Sequence, residues 1–197
     1  LNYVSNSAFT RFTSISRDMI QDYYSDVMAD QNMFTSSINS SSYLKNIFIY
    51  YKDNGYIMDY SGIYDLPSYY DTEWQHAFKN MKNQFETVDT RRVSNRNRST
   101  NYENIITFIT RMPYSNEKNE GAVILNVDAK ILSDVLKNIT SDDEDKFVLL
   151  VNKEGMVISS SNPQDLYKNV SDVMRLPAGI SSSSGKYDFS LKNRKMV

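Results

Sequence analysis

The sequence predicts an α+β protein: a long N-terminal helix followed by antiparallel sheets with shorter helices between their strands. Three observations predict it. Apolar residues recur at spacings of three and four through the opening positions, and the first forty contain no glycine or proline. The period then falls to two, in runs rich in Ile, Val, Phe and Tyr. Two tight-turn sequences, Lys52-Asp53-Asn54-Gly55 and Asn152-Lys153-Glu154-Gly155, each join a pair of such runs.

The helix pattern comprises Val4, Ala8, Phe12, Ile15, Met19, Tyr23 and Val27, one continuous face separated by polar residues. About 35 residues at 1.5 Å each would span about 50 Å, more than the width of one small module. Residues 46–51 (NIFIYY) and 56–60 (YIMDY) are predicted to form a hairpin across Asn54-Gly55. A loop follows, with Gly62, Pro67 and the tyrosines Tyr60, Tyr64, Tyr69 and Tyr70. Residues 73–82 (EWQHAFKNMK) fit a short helix with Trp74, Ala77, Phe78 and Met81 on one face. A strand is expected over 84–93, a polar loop over 94–103, and strands over 104–112 (NIITFITRM) and 121–128 (GAVILNVD). Pro113, Asn116 and Asn119 mark the turn between the last two. Residues 129–139 form an amphipathic helix with Ile131, Leu132, Val135, Leu136 and Ile139 as its apolar side. Residues 140–146 (TSDDEDK) read as an acidic linker. A second strand–turn–strand runs from Phe147 to Ser159, helical turns are expected within 164–176, and a further strand over 185–191 after a flexible serine run. The two glycine-ended turns suggest a weak internal repeat of one α+β module. The expected organisation is a helix over 1–40, a first module over 41–139 and an incomplete second module over 140–197.

Composition bounds the function. In 197 residues, 22 Lys and Arg face 24 Asp and Glu, a net charge of −2, which gives no pull toward nucleic acid. Cysteine is absent, which removes disulfides, thiol nucleophiles and thiolate metal sites. The single histidine, His76, cannot build a two-histidine zinc site. The apolar runs are short, and none approaches the ~18–20 residues of a membrane helix. The chain starts without methionine and is expected to be part of a longer protein, with any membrane segment outside it. No two carboxylates sit in a recognisable catalytic context, so a carboxylate-pair hydrolase is not expected, and no cofactor or metal is expected either.

The order of elements, with the motifs IFIYYKDNGYIMDY, ITFITRMP, GAVILNVDAKIL and FVLLVNKEGMVISS, resembles the double Cache fold, the PAS-like architecture of bacterial extracytoplasmic sensor domains. The sequence is most similar in style to the ectodomains of YesM-like sensor histidine kinases and related membrane-anchored transcription regulators. The resemblance implies a flanking membrane helix on each side and a helix packed along two Cache modules. It places a small polar solute (a sugar, an organic acid or an amino acid) in the membrane-distal module. It also implies a homodimeric receptor on the extracellular face of the membrane, with its output elsewhere. The alternative is an ectodomain that binds no solute and dimerises or docks a protein through its first helix.

Several residues could carry recognition. Asp128 ends its strand on the face it shares with Ala122, Ile124 and Asn126. The resemblance makes Asp128 a grip for a ligand amine, while local structure makes it the N-cap of the next helix. Trp74 lies near Tyr64, Tyr69 and Tyr70, which suits either a ligand's apolar face or a core anchor. The amino-acid-binding subclass carries an arginine and a Trp-Tyr step at this place, and Glu73-Trp74-Gln75-His76 departs from it. Arg111 shares a strand face with Thr107 and could clamp a carboxylate or stay solvated. Arg91, Arg92, Arg96 and Arg98 read as a solvated cluster with Tyr102 as the nearby aromatic. His76 reads as a surface or packing residue, and Asp142 to Asp145 lack the spacing of a calcium loop.

Overall fold

The computed structural model describes residues 24–52, 54–81, 84–95, 98–112, 121–139, 147–152 and 154–174. The chain divides into two compact units, Leu1–Ala129 and Lys130–Val197. The fold is α+β with antiparallel sheets, as the periodicities predict.

The first unit is built on a six-stranded antiparallel sheet in the order β3-β2-β1-β6-β5-β4. Helix α1 (Tyr24–Ser40) leads into β1 (Leu44–Tyr51). Strand β1 turns through Gly55 into β2 (Tyr56–Asp59), with Tyr51 opposite Tyr56. Gly55 takes a left-handed φ of 67°, the conformation that the Asn-Gly pair supplies. Strand β3 (Gly62–Asp65) then pairs with β2, so the expected loop is partly a third strand of a meander. Asp59 closes that turn: its Oδ1 accepts from the amides of Ser61 and Gly62 and from Ser61 Oγ. A 3-10 turn (Leu66–Ser68) and helix α2 (Trp74–Asn80) follow.

Strands β4 (Glu86–Asn95) and β5 (Arg98–Met112) form a long hairpin pairing Glu86 with Thr110 and Ser94 with Tyr102. The stretch 94–103 is expected to be a polar loop, but its described residues, 94–95 and 98–103, belong to these strands. Polarity misleads there because an outer hairpin can stay solvated on its side chains while its backbone pairs fully. Arg92 stands 5.3 Å over the ring of exposed Tyr102, a cross-strand pair of that kind. Strand β6 (Gly121–Asp128) fills the centre between β1 and β5.

The sheet has a core on each face. On one, Ile47, Ile49, Tyr51, Met58, Met112 and Val123 pack with Val27 and Phe34 of α1. On the other, Phe48, Ile57, Ile109, Ala122 and Ile124 pack with Tyr69, Trp74, Phe78 and Met81 from the loop and α2. Strand alternation accounts for both, since Ile47 and Phe48 must point to opposite faces. The helix positions Val4 to Tyr23 of the sequence pattern lie outside the described residues, whereas Val27 is buried as predicted.

The second unit takes up helix α3 (Ala129–Ile139) from Lys130, then carries a two-stranded sheet of β7 (Leu149–Val151) and β8 (Val157–Ser160). Ser133 Oγ donates to the Ser160 carbonyl at 2.6 Å and ties α3 to β8. On the predicted apolar side of α3, Val135 and Ile139 are exposed. The expected helical turns are a 3-10 turn (Pro163–Asp165) and α4 (Val170–Val173), each capped by an asparagine, Asn162 and Asn169. The 140–146 linker and the 185–191 strand lie outside the described residues. Gly155 sits at φ 82°, so Gly155→Ala is expected to destabilise this unit by about 1–2 kcal/mol, read from urea unfolding.

Candidate functional site

The face of the first sheet beneath α2 carries a buried polar cluster. Register explains its membership. Asn46 of β1 pairs with Asn126 of β6, and Asn126 pairs with Thr107 of β5. Thr107 pairs with Asp89 of β4, and Arg91 lies two residues on, on the same face. The segment between the 3-10 turn and α2 lays Tyr69, Tyr70 and Asp71 across these strands.

At the centre is a buried ion pair. Arg91 Nη1 meets Asp71 Oδ1 at 2.5 Å and Nη2 meets Oδ2 at 2.7 Å, a bidentate fork. Arg91 Nε donates to Thr107 Oγ1 at 2.7 Å, and Thr107 donates to Asn126 Oδ1 at 2.9 Å. Asn126 Oδ1 also accepts from Arg91, and its Nδ2 donates to Asp71 Oδ2 at 3.1 Å. The Asp71 carbonyl accepts from Trp74 Nε1 at 3.0 Å, so the loop and the start of α2 are fastened together. Asp71 and Thr107 are almost wholly buried, and burial of such a pair is tolerable only because each lobe is hydrogen-bonded.

Beside it lies a second network. Asn46 Nδ2 donates to Tyr70 OH at 2.8 Å and Tyr69 OH at 3.1 Å, and Tyr69 OH donates to Asp59 Oδ2 at 3.2 Å. Desolvation pushes both phenols above their ordinary range; Tyr70 and Asp59 push Tyr69 further. Both hydroxyls therefore stay neutral and keep a proton to donate.

The structure brings Asn126, Thr107, Tyr69 and Tyr70 together, and Tyr64 reaches the edge through its ring contact with Tyr69 at 5.6 Å. Trp74 is fully buried, edge-on to Phe48 and Tyr50. Asp128 lies at one end of the face, 3.1 Å from Lys45, which also contacts Glu103 at 2.7 Å. Those contacts raise the Lys45 pKa, the hydrogen bond with Glu103 foremost. Arg111 lies at the other end, six residues along β5 from the Asp128 level, about 20 Å away at ~3.4 Å per residue. There it donates to the Phe78 carbonyl at 3.4 Å and covers the Phe78 ring, pinning α2. His76 is exposed and contacts Asn80 of its own helix.

Sequence reasoning missed Asp71, Asn46 and Asp59, and it assigned Arg91 to a solvated cluster. That assignment is corrected: Arg91 is 7% exposed and paired. Strand alternation across Asp89, Arg91 and Val93, once β4 is extended, is the signal that would have turned Arg91 inward.

No family model and no curated protein matches the chain. Solved structures do. One is a domain of a protein described as a sensory box/GGDEF family member from Vibrio parahaemolyticus. It has a TM-score of 0.54 at 15% identity, over 84% of this chain and 63% of that one. Another is the extracellular domain of a protein described as a histidine kinase, with a TM-score of 0.53 at 15% identity, over 84% and 60%. The likeness is one of fold: the chain is built like these two domains. It spans about six tenths of the length of each of these two domains.

Proposed function

We propose that this chain is the extracellular sensing region of a bacterial transmembrane receptor of the histidine-kinase type, double Cache in kind. In this reading it is a binding module and not an enzyme. A small polar solute binds in the first unit, on the sheet face formed by β1, β5 and β6 beneath residues 66–73. The observation that carries the reading is the polar cluster itself. A sheet face under a helix is normally filled with apolar side chains, and Asn46, Asp59, Asp71, Arg91, Thr107 and Asn126 all lie buried there.

The same sheet supplies a route for the signal. Strands β1 and β6 present Asn46 and Asn126 to the site and Ile47, Ile49 and Val123 to α1. Asp59 touches both sides: its carboxylate accepts from Tyr69, while its carbonyl accepts from Gln31 of α1 at 3.2 Å. A solute that prefers one arrangement of loop and sheet therefore biases the seating of the helix, provided its affinity differs between the two states. Among the described residues no helix is long and apolar enough to cross a membrane.

A thermal-shift screen against sugars, organic acids and amino acids tests this. At a hundred times its Kd a ligand adds ~2.7 kcal/mol, expected to raise Tm by a few degrees. A flat screen on a cooperatively melting chain counts against the reading. It would favour the second one, dimerisation through α1, whose outer face exposes Tyr24 and Met28; sedimentation at several concentrations reads that out.

A further inference from the structure

We propose that the solute is a neutral, hydroxyl-bearing molecule, a sugar or polyol, and that Asn46 is the residue that reads it. The inference rests on the reading of this face as a solute site and deepens it.

Asn46 is 4% exposed, and its Oδ1 meets no hydrogen-bond donor among the described residues. Its Nδ2 is fully engaged by the two tyrosine hydroxyls. Turning the amide over leaves the other end without a partner, so one polar atom stays open in either orientation. An open, buried polar atom beside Tyr69 and Tyr70 has lost its hydration without replacement, a cost that a ligand group can recover. A hydroxyl can recover it in either orientation, because it both donates and accepts.

Charge works against the other classes beside Asn46. On this face the described cations are Lys45, Arg91 and Arg111, against the carboxylates of Asp59, Asp71, Asp89, Glu103 and Asp128. The one buried guanidinium near Asn46, Arg91, is already forked by Asp71. A carboxylate ligand would have to displace Asp71 and leave it buried without its partner, which is strongly unfavourable. An ammonium would look to Asp59, whose Oδ1 already accepts three bonds and whose Oδ2 accepts from Tyr69. It would gain little for the hydration it loses. A neutral polyhydroxylated solute needs neither displacement nor charge burial, and tyrosine rings suit the apolar faces of its carbon skeleton.

Isothermal titration of the whole chain with a panel of monosaccharides and linear polyols, beside dicarboxylates and amino acids of similar size, tests the class. A hit among sugars or polyols is expected, with none among carboxylates. In Asn46→Ala, whose folding is checked by circular dichroism, the affinity for that hit is expected to fall at least tenfold. Asn46→Thr, which puts a hydroxyl that can donate and accept in place of the amide, is expected to fall less. A carboxylate that binds, and whose binding is lost in Arg91→Lys, overturns this inference and leaves the solute site standing. A sugar that binds Asn46→Ala as tightly as the parent overturns the role of Asn46. Silence across the panel overturns both the inference and the solute site. If Asn46→Ala does not fold, the panel on the parent chain still decides the class.

Discussion

Arg91→Met is expected to destabilise the first unit by about 3–5 kcal/mol, a large part of the total stability of an ordinary domain. The size comes from what is left behind. Asp71 is 1% exposed, and without the guanidinium its carboxylate keeps one side-chain donor, Asn126 Nδ2. Water replaces the two lost bonds poorly at a carboxylate this deeply buried. Asp71→Leu alone is expected to cost a similar amount, because it strands the charge of Arg91 between Thr107 and Asn126. The double variant Asp71→Leu/Arg91→Met is expected to cost clearly less than the two single changes added together, because neither residue is then stranded. Urea unfolding of the four proteins closes the cycle. If the single variants lose less than about 1 kcal/mol, the pair is solvent-accessible in solution and does not hold the loop to the sheet. The loop consequence is specific. Asp71 joins β4 and β6 through its carboxylate and α2 through its carbonyl, so its loss should release the cover and the start of the helix together.

The elements were legible where one periodicity dominated. Helix α1 over its described part, the β1–β2 hairpin, β6 and α3 follow directly from spacing and turn chemistry. The errors fall where side-chain polarity and backbone pairing disagree. Residues 94–103 are rich in Asn, Ser and Arg because their hairpin carries polar side chains, and their backbone still pairs from Ser94–Tyr102 inward. Gly62 and Tyr64 looked like loop residues because β3 is four residues long and sits at the sheet edge. The site was half legible for the same reason. Asn126 and Thr107 could be placed on one face by alternation within their own strands. Asp71 could not, since it reaches Arg91 from 20 residues away through a loop whose path no local pattern encodes. Asn46 was hidden inside a run that reads as pure core, Asn46 to Tyr51.

Asp30→Asn is expected to stabilise the first unit at neutral pH, by up to about 3 kcal/mol, and to remove a pH dependence that the parent shows in mild acid. Asp30 lies on the face of α1 that packs against the sheet, 3% exposed. Its Oδ2 meets no donor among the described residues. The titratable groups that face it are Asp26, one turn earlier on the same helix, and Tyr51 of β1. Neither supplies positive charge, and Val27 and Phe34 on the same side of the helix belong to the apolar core. Desolvation, with a smaller contribution from Asp26, raises the carboxyl pKa from 3.8 to about 6. The sign follows from linkage. The folded chain holds this proton more tightly than the unfolded chain, so the contribution is most favourable below pH 3.8. It is lost as pH rises from there through about 6 and is flat above. At about 1.4 kcal/mol per pH unit, the gap between the two pKa values corresponds to about 3 kcal/mol of ionised-carboxylate cost at pH 7. Unfolding free energies of parent and variant at pH 4, 5, 6 and 7 isolate the effect, since every other titrating group cancels in the difference. The difference should be near zero at pH 4 and grow to its full size by pH 7. A difference that does not change with pH would mean that Asp30 finds water or a cation in solution, and that the helix–sheet junction contains no buried charge. A growing difference would place the titration under α1, on the sheet face opposite Asn46, so that acid would tighten the seat of the same helix that the solute site biases through β1 and Asp59.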